Sequence, residues 1–178
     1  MTGRELGAAR PDSGTDADAF RHVLGHYPTG VAVITAQTPD GPVGMSMNSF
    51  TSLSLLPPLV LFCPARTSRT WPLLRSAGAI AINVLSAGQE AVSRAFAGPG
   101  DRFAELPWTP GKNGAPRLDD ALGWLECTVQ AEHPGGDHIV VVAGIDWMGV
   151  HDEIADPLVF FKGAYFAGIT AAAAADQP

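Results

Sequence analysis

The chain has 178 residues, 46% of them hydrophobic and 16% charged, and a formal net charge of −7. That length suits one domain, and that apolar content is enough for a core. The eleven Lys and Arg are scattered through an acidic chain, which excludes the clustered cationic footprint that nucleic acid requires.

Segment 1–17 is polar and rich in small residues, and we expect it to be mobile. It lacks the apolar h-region of a secretory signal, and no stretch approaches the ~18 apolar residues of a membrane span. Phe20, Val23, Leu24 and Tyr27 fall at i, i+3, i+4 and i+7, which predicts a short amphipathic helix. Asp16 or Asp18 caps it, and Pro28 ends it. Gly30–Gln37 is β-branched and apolar and reads as a strand. Thr38-Pro39-Asp40-Gly41 reads as a turn, with Pro presetting φ and Gly supplying positive φ. Val43–Ser54 returns as a more polar strand, so the two make a hairpin.

Leu59–Cys63 is a third strand after Pro57-Pro58. Ser68 or Thr70 caps a short helix running through Arg75. Ala79–Leu85 is a strand, and Gln89–Phe96 is a helix ended by Gly98-Pro99-Gly100. Residues 101–118 read as loop. In Leu125–Ala131 apolar and polar residues alternate, the mark of a strand with one wet face. Pro134-Gly135-Gly136-Asp137 is a turn, and His138–Trp147 is the partner strand. Leu158–Phe161 and Ala164–Phe166 give a last strand or pair, and AAAAADQP reads as a loose tail. The order is mostly ββ rather than βαβ, which favours an antiparallel barrel over a doubly wound sheet. Cys63 and Cys127 lie far apart, each in an apolar run. They read as buried thiols in a reducing, cytoplasmic setting.

No G-x-G-x-x-G lies between a strand and a helix, and there is no P-loop. Gly44-Met45-Ser46-Met47-Asn48 lacks the last glycine of a nucleophile elbow and sits between strands, so Ser46 is not read as a hydrolase nucleophile. Glu132, His133, Asp137 and His138 surround a tight turn and point different ways, so no metal site is expected. Three stretches carry polar chemistry. Ser46, Asn48, Ser49, Thr51, Ser52 and Ser54 place six small polar side chains within nine positions, flanked by Met45, Met47, Phe50 and Leu53. Small donors with exposed backbone N–H suit a flat, hydrogen-bonding ligand; the competing reading is a Ser/Thr-rich edge strand. Arg66-Thr67-Ser68-Arg69-Thr70 opens a helix and can gather guanidinium groups, hydroxyls and a helix N-terminus around a phosphate. The alternative is a capped surface helix with solvated arginines. Gly136-Asp137-His138 brings a histidine to the start of a buried strand, where it can move a proton or simply be satisfied by backbone.

These stretches, in this order, resemble the flavin reductase family with the FMN-binding split-barrel fold, the small reductase components of two-component flavin-dependent monooxygenases. The resemblance runs from Phe20 to about Tyr165. It is carried by Pro28-Thr29-Gly30-Val31, by Ser46–Ser54 with Pro57-Pro58-Leu59-Val60, and by Ala81-Ile82-Asn83-Val84-Leu85. Asp101-Arg102-Phe103, Gly136-Asp137-His138 and Pro157-Leu158 through Phe161-Lys162-Gly163-Ala164-Tyr165 complete it. It implies a mainly β fold with short helices, a Greek-key split barrel over 18–168 between a disordered 1–17 and a flexible 169–178. It also implies a homodimer with flavin near the subunit interface, and a cytoplasmic enzyme that moves a hydride from NADH or NADPH to FMN or FAD. The reduced flavin then diffuses to a partner monooxygenase.

By the same resemblance, Met47, Asn48, Ser49, Phe50, Thr51 and Ser52 line the isoalloxazine, and Arg66, Ser68 and Thr70 take the phosphate. Asn83 sits near the ribityl or phosphate, His138 near the nicotinamide, and Phe103 and Tyr165 form walls. Thr29 and Asp101 are counted with the cofactor-binding residues. The resemblance leads us to expect Arg-Gly, as in many relatives, where this chain has Lys162-Gly163; lysine keeps the charge and loses the bidentate fork. Two other readings share these residues: a non-catalytic flavin-binding protein, and a pyridoxamine-phosphate oxidase-like enzyme on a related barrel.

Overall fold

The computed structural model describes residues 16–151, 153 and 156–167. The expected flexible tail 169–178, and residues 1–15 of the expected mobile segment, lie outside the described residues. The first element is helix α1 (Ala17–Leu24). Its cap is Asp16, whose Oδ1 accepts from the amides of Asp18 (3.0 Å) and Ala19 (2.8 Å). That occupies two of the four donors a helix start leaves free. The helix is amphipathic, as its spacing predicts, yet none of its residues is buried. Phe20 and Val23 remain 63% and 55% exposed.

The expected strand Gly30–Gln37 is divided at Val31 into β1 (Thr29–Gly30) and β2 (Ala32–Thr38). The break carries the chain from one sheet to another, and Val31 stays buried there, its carbonyl accepting from the Leu85 amide at 2.9 Å. The expected long strand 43–54 is likewise two, β3 (Gly41–Met47) and β4 (Thr51–Leu55), separated by a bend at 48–50. Then follow β5 (Pro58–Phe62), α2 (Trp71–Ala77), β6 (Ala79–Val84) and α3 (Glu90–Ala97). A 3-10 turn with a Ser86/Gln89 capping box leads into α3. The stretch 101–118, expected as loop, contains a small hairpin, β7 (Trp108–Pro110) and β8 (Pro116–Leu118). Its many prolines and glycines hid two strands only three residues long. The last elements are β9 (Gly123–Gly135), β10 (His138–Val150), β11 (Leu158–Phe161) and β12 (Ala164–Ala167).

Seven strands form one sheet in the order β3-β2-β6-β9-β10-β5-β4, and β1-β11-β12 form a second sheet. Every ladder is antiparallel. The two edges of the large sheet, β3 and β4, are consecutive in the chain but are not hydrogen-bonded to each other. The bend 48–50 spans this split. The fold class is therefore the expected one, a mainly β split barrel with short helices.

Strand β2 explains why its sequence is apolar at almost every position. Ala32, Ile34 and Ala36 face one core cluster with Phe62, Leu74 and Ile82. Val33, with Val31, faces a second cluster with Leu85, Phe96 and Leu158. A strand buried on both faces loses its polar alternation. Both cysteines are free, Cys127 buried and Cys63 half-buried. Burial, and then the carboxylates of Asp146 and Glu126, push the Cys127 thiol up to about 12.

Candidate functional site

The bend between β3 and β4 opens onto a cavity of 860 Å³. Its walls are Asn48–Thr51 on one side, Thr29-Gly30 of β1 and Phe160 of β11 on another, and α1 with the Lys162-Gly163 turn at the rim. That volume falls in the range of cofactor and substrate sites, ~300–1,000 Å³. The lining joins the aromatic rings of Phe20, Tyr27, Phe50 and Phe160 to a short run of polar groups.

Two features fix the polar run. The Ser49 hydroxyl accepts from the Cys63 amide at 2.9 Å, and its proton faces the Cys63 carbonyl at 3.3 Å and Met47 Sδ at 3.0 Å. This pins the bend to the end of β5 and leaves Asn48 exposed beside it. The second is Thr29, whose Oγ1 is buried and has no hydrogen-bond partner. A buried polar atom without a partner is uncommon and costs about 1–3 kcal/mol. A hydroxyl so placed in the wall of a cavity fits a ligand with a polar edge.

Of the residues that the resemblance assigns to the cofactor, the structure brings Thr29, Asn48, Ser49, Phe50 and Thr51 to one cavity. Met47 and Asn48 also line a smaller recess of 160 Å³ with Phe160 and Tyr165. Ser52 is exposed on β4, paired with Val60, and does not line the cavity. Tyr165 belongs to an internal chain that the sequence did not reveal. Its hydroxyl lies 2.9 Å from Ser93 Oγ, which lies 2.9 Å from Ser46 Oγ. Ser93 is fully buried on α3, and the Arg94 guanidinium covers the Tyr165 ring at 4.9 Å. The i, i+3 spacing of Ser93 from Glu90 and Phe96 gave no hint of this role.

The segment 66–70 stands apart from the cavity lining. Arg66 donates through Nε to the Gly136 carbonyl at 2.8 Å, and Ser68 Oγ accepts from the Trp71 amide at 3.1 Å. Thr70 Oγ1 accepts from Arg102 Nη1 at 2.8 Å. The hydroxyls of Ser68 and Thr70 are therefore engaged locally. Arg102 also bonds the carbonyls of Gly98 and Gly44, so Asp101-Arg102-Phe103 clamps the end of α3 onto β3. Asp101 accepts from the Phe103 amide at 3.0 Å, and the Phe103 ring packs edge-on against Phe96 and Trp108. Thr70, Asp101 and Phe103 meet around a separate groove of 260 Å³.

Asn83 requires a correction. It was expected near the ribityl or phosphate, but it is wholly buried. Its amide donates to the Val33 carbonyl at 3.0 Å and to Thr35 Oγ1 at 3.1 Å, and accepts from the Leu118 amide at 2.7 Å. Its bonding capacity serves the interior, where it ties β6 to β2 and β8. The sequence places an asparagine in an apolar strand and so signals a special residue, but does not say which face it occupies.

His138 starts β10 beside the tight turn. Its Nδ1 lies 2.8 Å from Asp137 Oδ1, and the residue bridges to Ala65 next to Arg66. The hydrogen bond from His138, then the charge of that ring, hold the Asp137 carboxyl below its ordinary value, with the Arg21 guanidinium of α1 adding to the effect. Arg21 itself lines the cavity. Lys162, at the other rim position, has φ +50°, and Gly163 has φ +78°. Two left-handed residues make the tight connection between β11 and β12, a place where Asn or Gly is favoured and lysine costs roughly 1–2 kcal/mol.

A split antiparallel barrel with a cavity at its split is the architecture of a small-molecule-binding protein. The chain belongs to the family whose model is described as the flavin reductase like domain, which matches residues 24–168. It is 41% identical over 152 residues to the flavin-dependent monooxygenase reductase subunit HsaB of Mycobacterium tuberculosis, covering 84% of this chain and 81% of that one. It is 42% identical over 152 residues to the FMN reductase (NADH) SmoA of Agrobacterium fabrum, covering 85% and 86%. The fold matches the crystal structure of the NADH:FAD oxidoreductase SgcE6 of Streptomyces globisporus, in complex with NAD and FAD fragments. The TM-score is 0.83 at 34% identity, over 88% of this chain and 95% of that one.

Proposed function

We propose that this protein is an NAD(P)H-dependent flavin reductase, which transfers a hydride from NADH or NADPH to FMN or FAD and supplies reduced flavin to a partner monooxygenase. The observation that carries the reading is the partnerless Thr29 hydroxyl in the wall of the cavity that the Asn48–Thr51 bend faces. Membership of the flavin reductase family supports it, as do relatives named for NADH with FMN and NADH with FAD.

The nicotinamide and flavin rings supply the hydride chemistry themselves when both are bound, and the protein supplies orientation and a polar surround. Thr29 and the Asn48–Thr51 backbone hold the polar edge of the flavin, while Phe50 and Phe160 enclose its apolar body. Met47 and Tyr165 close the adjoining recess. His138, oriented through Nδ1 by Asp137, offers its other ring nitrogen to the nicotinamide. No acid–base triad is needed, because the transferred group is a hydride rather than a proton relay.

The reductase domain takes residues 18–168, and the working form is a cytoplasmic homodimer with the flavin near the subunit interface. The amphipathic α1 supports the dimer, since its apolar stripe lines an open cavity and covers no core of its own. The free thiols support a reducing compartment. Among the described residues no helix is long and apolar enough to cross a membrane.

The direct test is NADH and NADPH consumption by purified protein, with and without added FMN or FAD. Turnover that requires flavin is the expected result and ranks the cofactors. No turnover with any pairing would leave a flavin-binding module without reductase activity. Replacing His138 by Ala is expected to raise KM for NADH or lower kcat while leaving flavin affinity in place.

A further inference from the structure

We propose that Arg21 and Lys162 form an anion subsite at the cavity rim that binds the phosphate or pyrophosphate of a nucleotide ligand. The inference rests on the reading of the cavity as a flavin or dinucleotide site. It goes beyond that reading by moving the phosphate from the Arg66–Thr70 stretch to Arg21, which the motif analysis did not select, and Lys162, to which it gave no role.

The charge of the lining is the first argument. Of the residues that form the cavity wall, Arg21 and Lys162 are the charged ones, and both are cations. The chain as a whole has 18 acidic against 11 basic residues, yet among the described residues no carboxylate lines this cavity. Two cations beside aromatic rings match a ligand with a flat ring at one end and a phosphate at the other.

Availability is the second. Among the described residues Lys162 pairs with no carboxylate, and its Nζ rests over the Phe161 ring at 5.2 Å. Arg21 touches Asp18 at 3.2 Å, but the two side chains are 75% and 97% exposed. An exposed pair of this kind is weak, so the guanidinium can turn toward a better anion. By contrast, Arg66 Nε is held by the Gly136 carbonyl, Ser68 Oγ accepts from the Trp71 amide, and Thr70 Oγ1 accepts from Arg102.

Placement is the third. The Lys162 amide donates to the Gly25 carbonyl at 2.9 Å, which ties the β11–β12 turn to the end of α1 and so holds the two cations on one rim. The first residue of that turn is left-handed, where Asn or Gly is the favoured choice. A lysine there is explained by what its side chain reaches.

The test is binding to purified protein, read by quenching of flavin fluorescence for FMN and riboflavin and by calorimetry for NAD⁺, at low and high salt. The variants are Lys162→Asn, which removes the charge while suiting the left-handed turn, Arg21→Gln, and Lys162→Arg as the charge-keeping control. Loss of a charge-assisted hydrogen bond is expected to weaken the affected ligand about tenfold, less at high salt, with Lys162→Arg near wild type. If FMN weakens and riboflavin does not, the subsite holds the flavin phosphate. If NAD⁺ weakens instead, it holds the dinucleotide pyrophosphate. Wild-type binding with unchanged affinities in both charge-removing variants would overturn the subsite and leave the cavity reading intact. A wild-type protein that binds none of the three ligands would overturn both.

Discussion

The Ser49 hydroxyl stands 2.9 Å from the Cys63 amide nitrogen, bridging the point where the two edges of the barrel part. A side chain here does what a neighbouring strand does elsewhere, since β3 and β4 do not pair with each other. Replacing Ser49 by Ala leaves the Cys63 amide without this partner and frees the bend. We expect a loss of about 1 kcal/mol, or roughly 2–4 °C in Tm for a chain of this size. Thermal unfolding checks the stability, and the KM for flavin is expected to rise because the bend is also the cavity wall.

Asn83 separates structure from function in the opposite sense. Asn83→Ala leaves the Leu118 amide without its partner in the interior and removes the side-chain bonds to the Val33 carbonyl and Thr35. A loss of about 2–4 kcal/mol is expected, since a buried donor goes unpaired and three buried hydrogen bonds are lost. Denaturant unfolding measures it, and flavin affinity per folded molecule is expected to stay at the wild-type value. A selective fall in flavin affinity with stability intact would return Asn83 to the site.

The Asp137 carboxyl is held below its ordinary 3.8, first by the hydrogen bond from His138. A depressed folded-state value favours folding where the carboxylate is ionised in the unfolded chain too, above about pH 4. That contribution fades as the pH falls through and below 3.8. Wild type is therefore expected to exceed Asp137→Asn in urea stability at about pH 6, by a margin that shrinks as the pH falls below 3.8. A constant difference across that window would assign the contact a role that does not depend on the carboxylate charge.

Val23 is 55% exposed on α1 and does not line the cavity. If a second copy covers that helix, Val23→Asp places a charge in the interface and shifts the protein from dimer to monomer. Light scattering coupled to size exclusion measures this. A wild type that is monomeric at micromolar concentration would remove the dimer from the proposal.

Periodicity and turn chemistry in the sequence determined the run of antiparallel strands, an aspartate cap for α1 at Asp16 or Asp18 and the polar stretch 46–54, though not the bend at 48–50 that divides it. Those signals are local: alternation, β-branching, Pro-Gly turns and an Asp before an apolar stripe all act within a few residues. The grouping of Thr29 with Asn48–Thr51 came from resemblance, because nothing local joins them. Three things were decided only by the tertiary structure. The face to which Asn83 turns depends on the pairing of β6 between β2 and β9, and that pairing joins Asn83 to Val33 and to Trp124, both distant in sequence. The Ser46–Ser93–Tyr165 chain joins three elements that share no sequence period. The charge of the cavity rim depends on the end of α1 meeting the β11–β12 turn across more than a hundred residues, through a backbone hydrogen bond from the Lys162 amide to the Gly25 carbonyl that no local motif announces. Long-range closure is set by the sum of the core contacts rather than by any one motif, which is why the strands were legible and the site they assemble was only partly so.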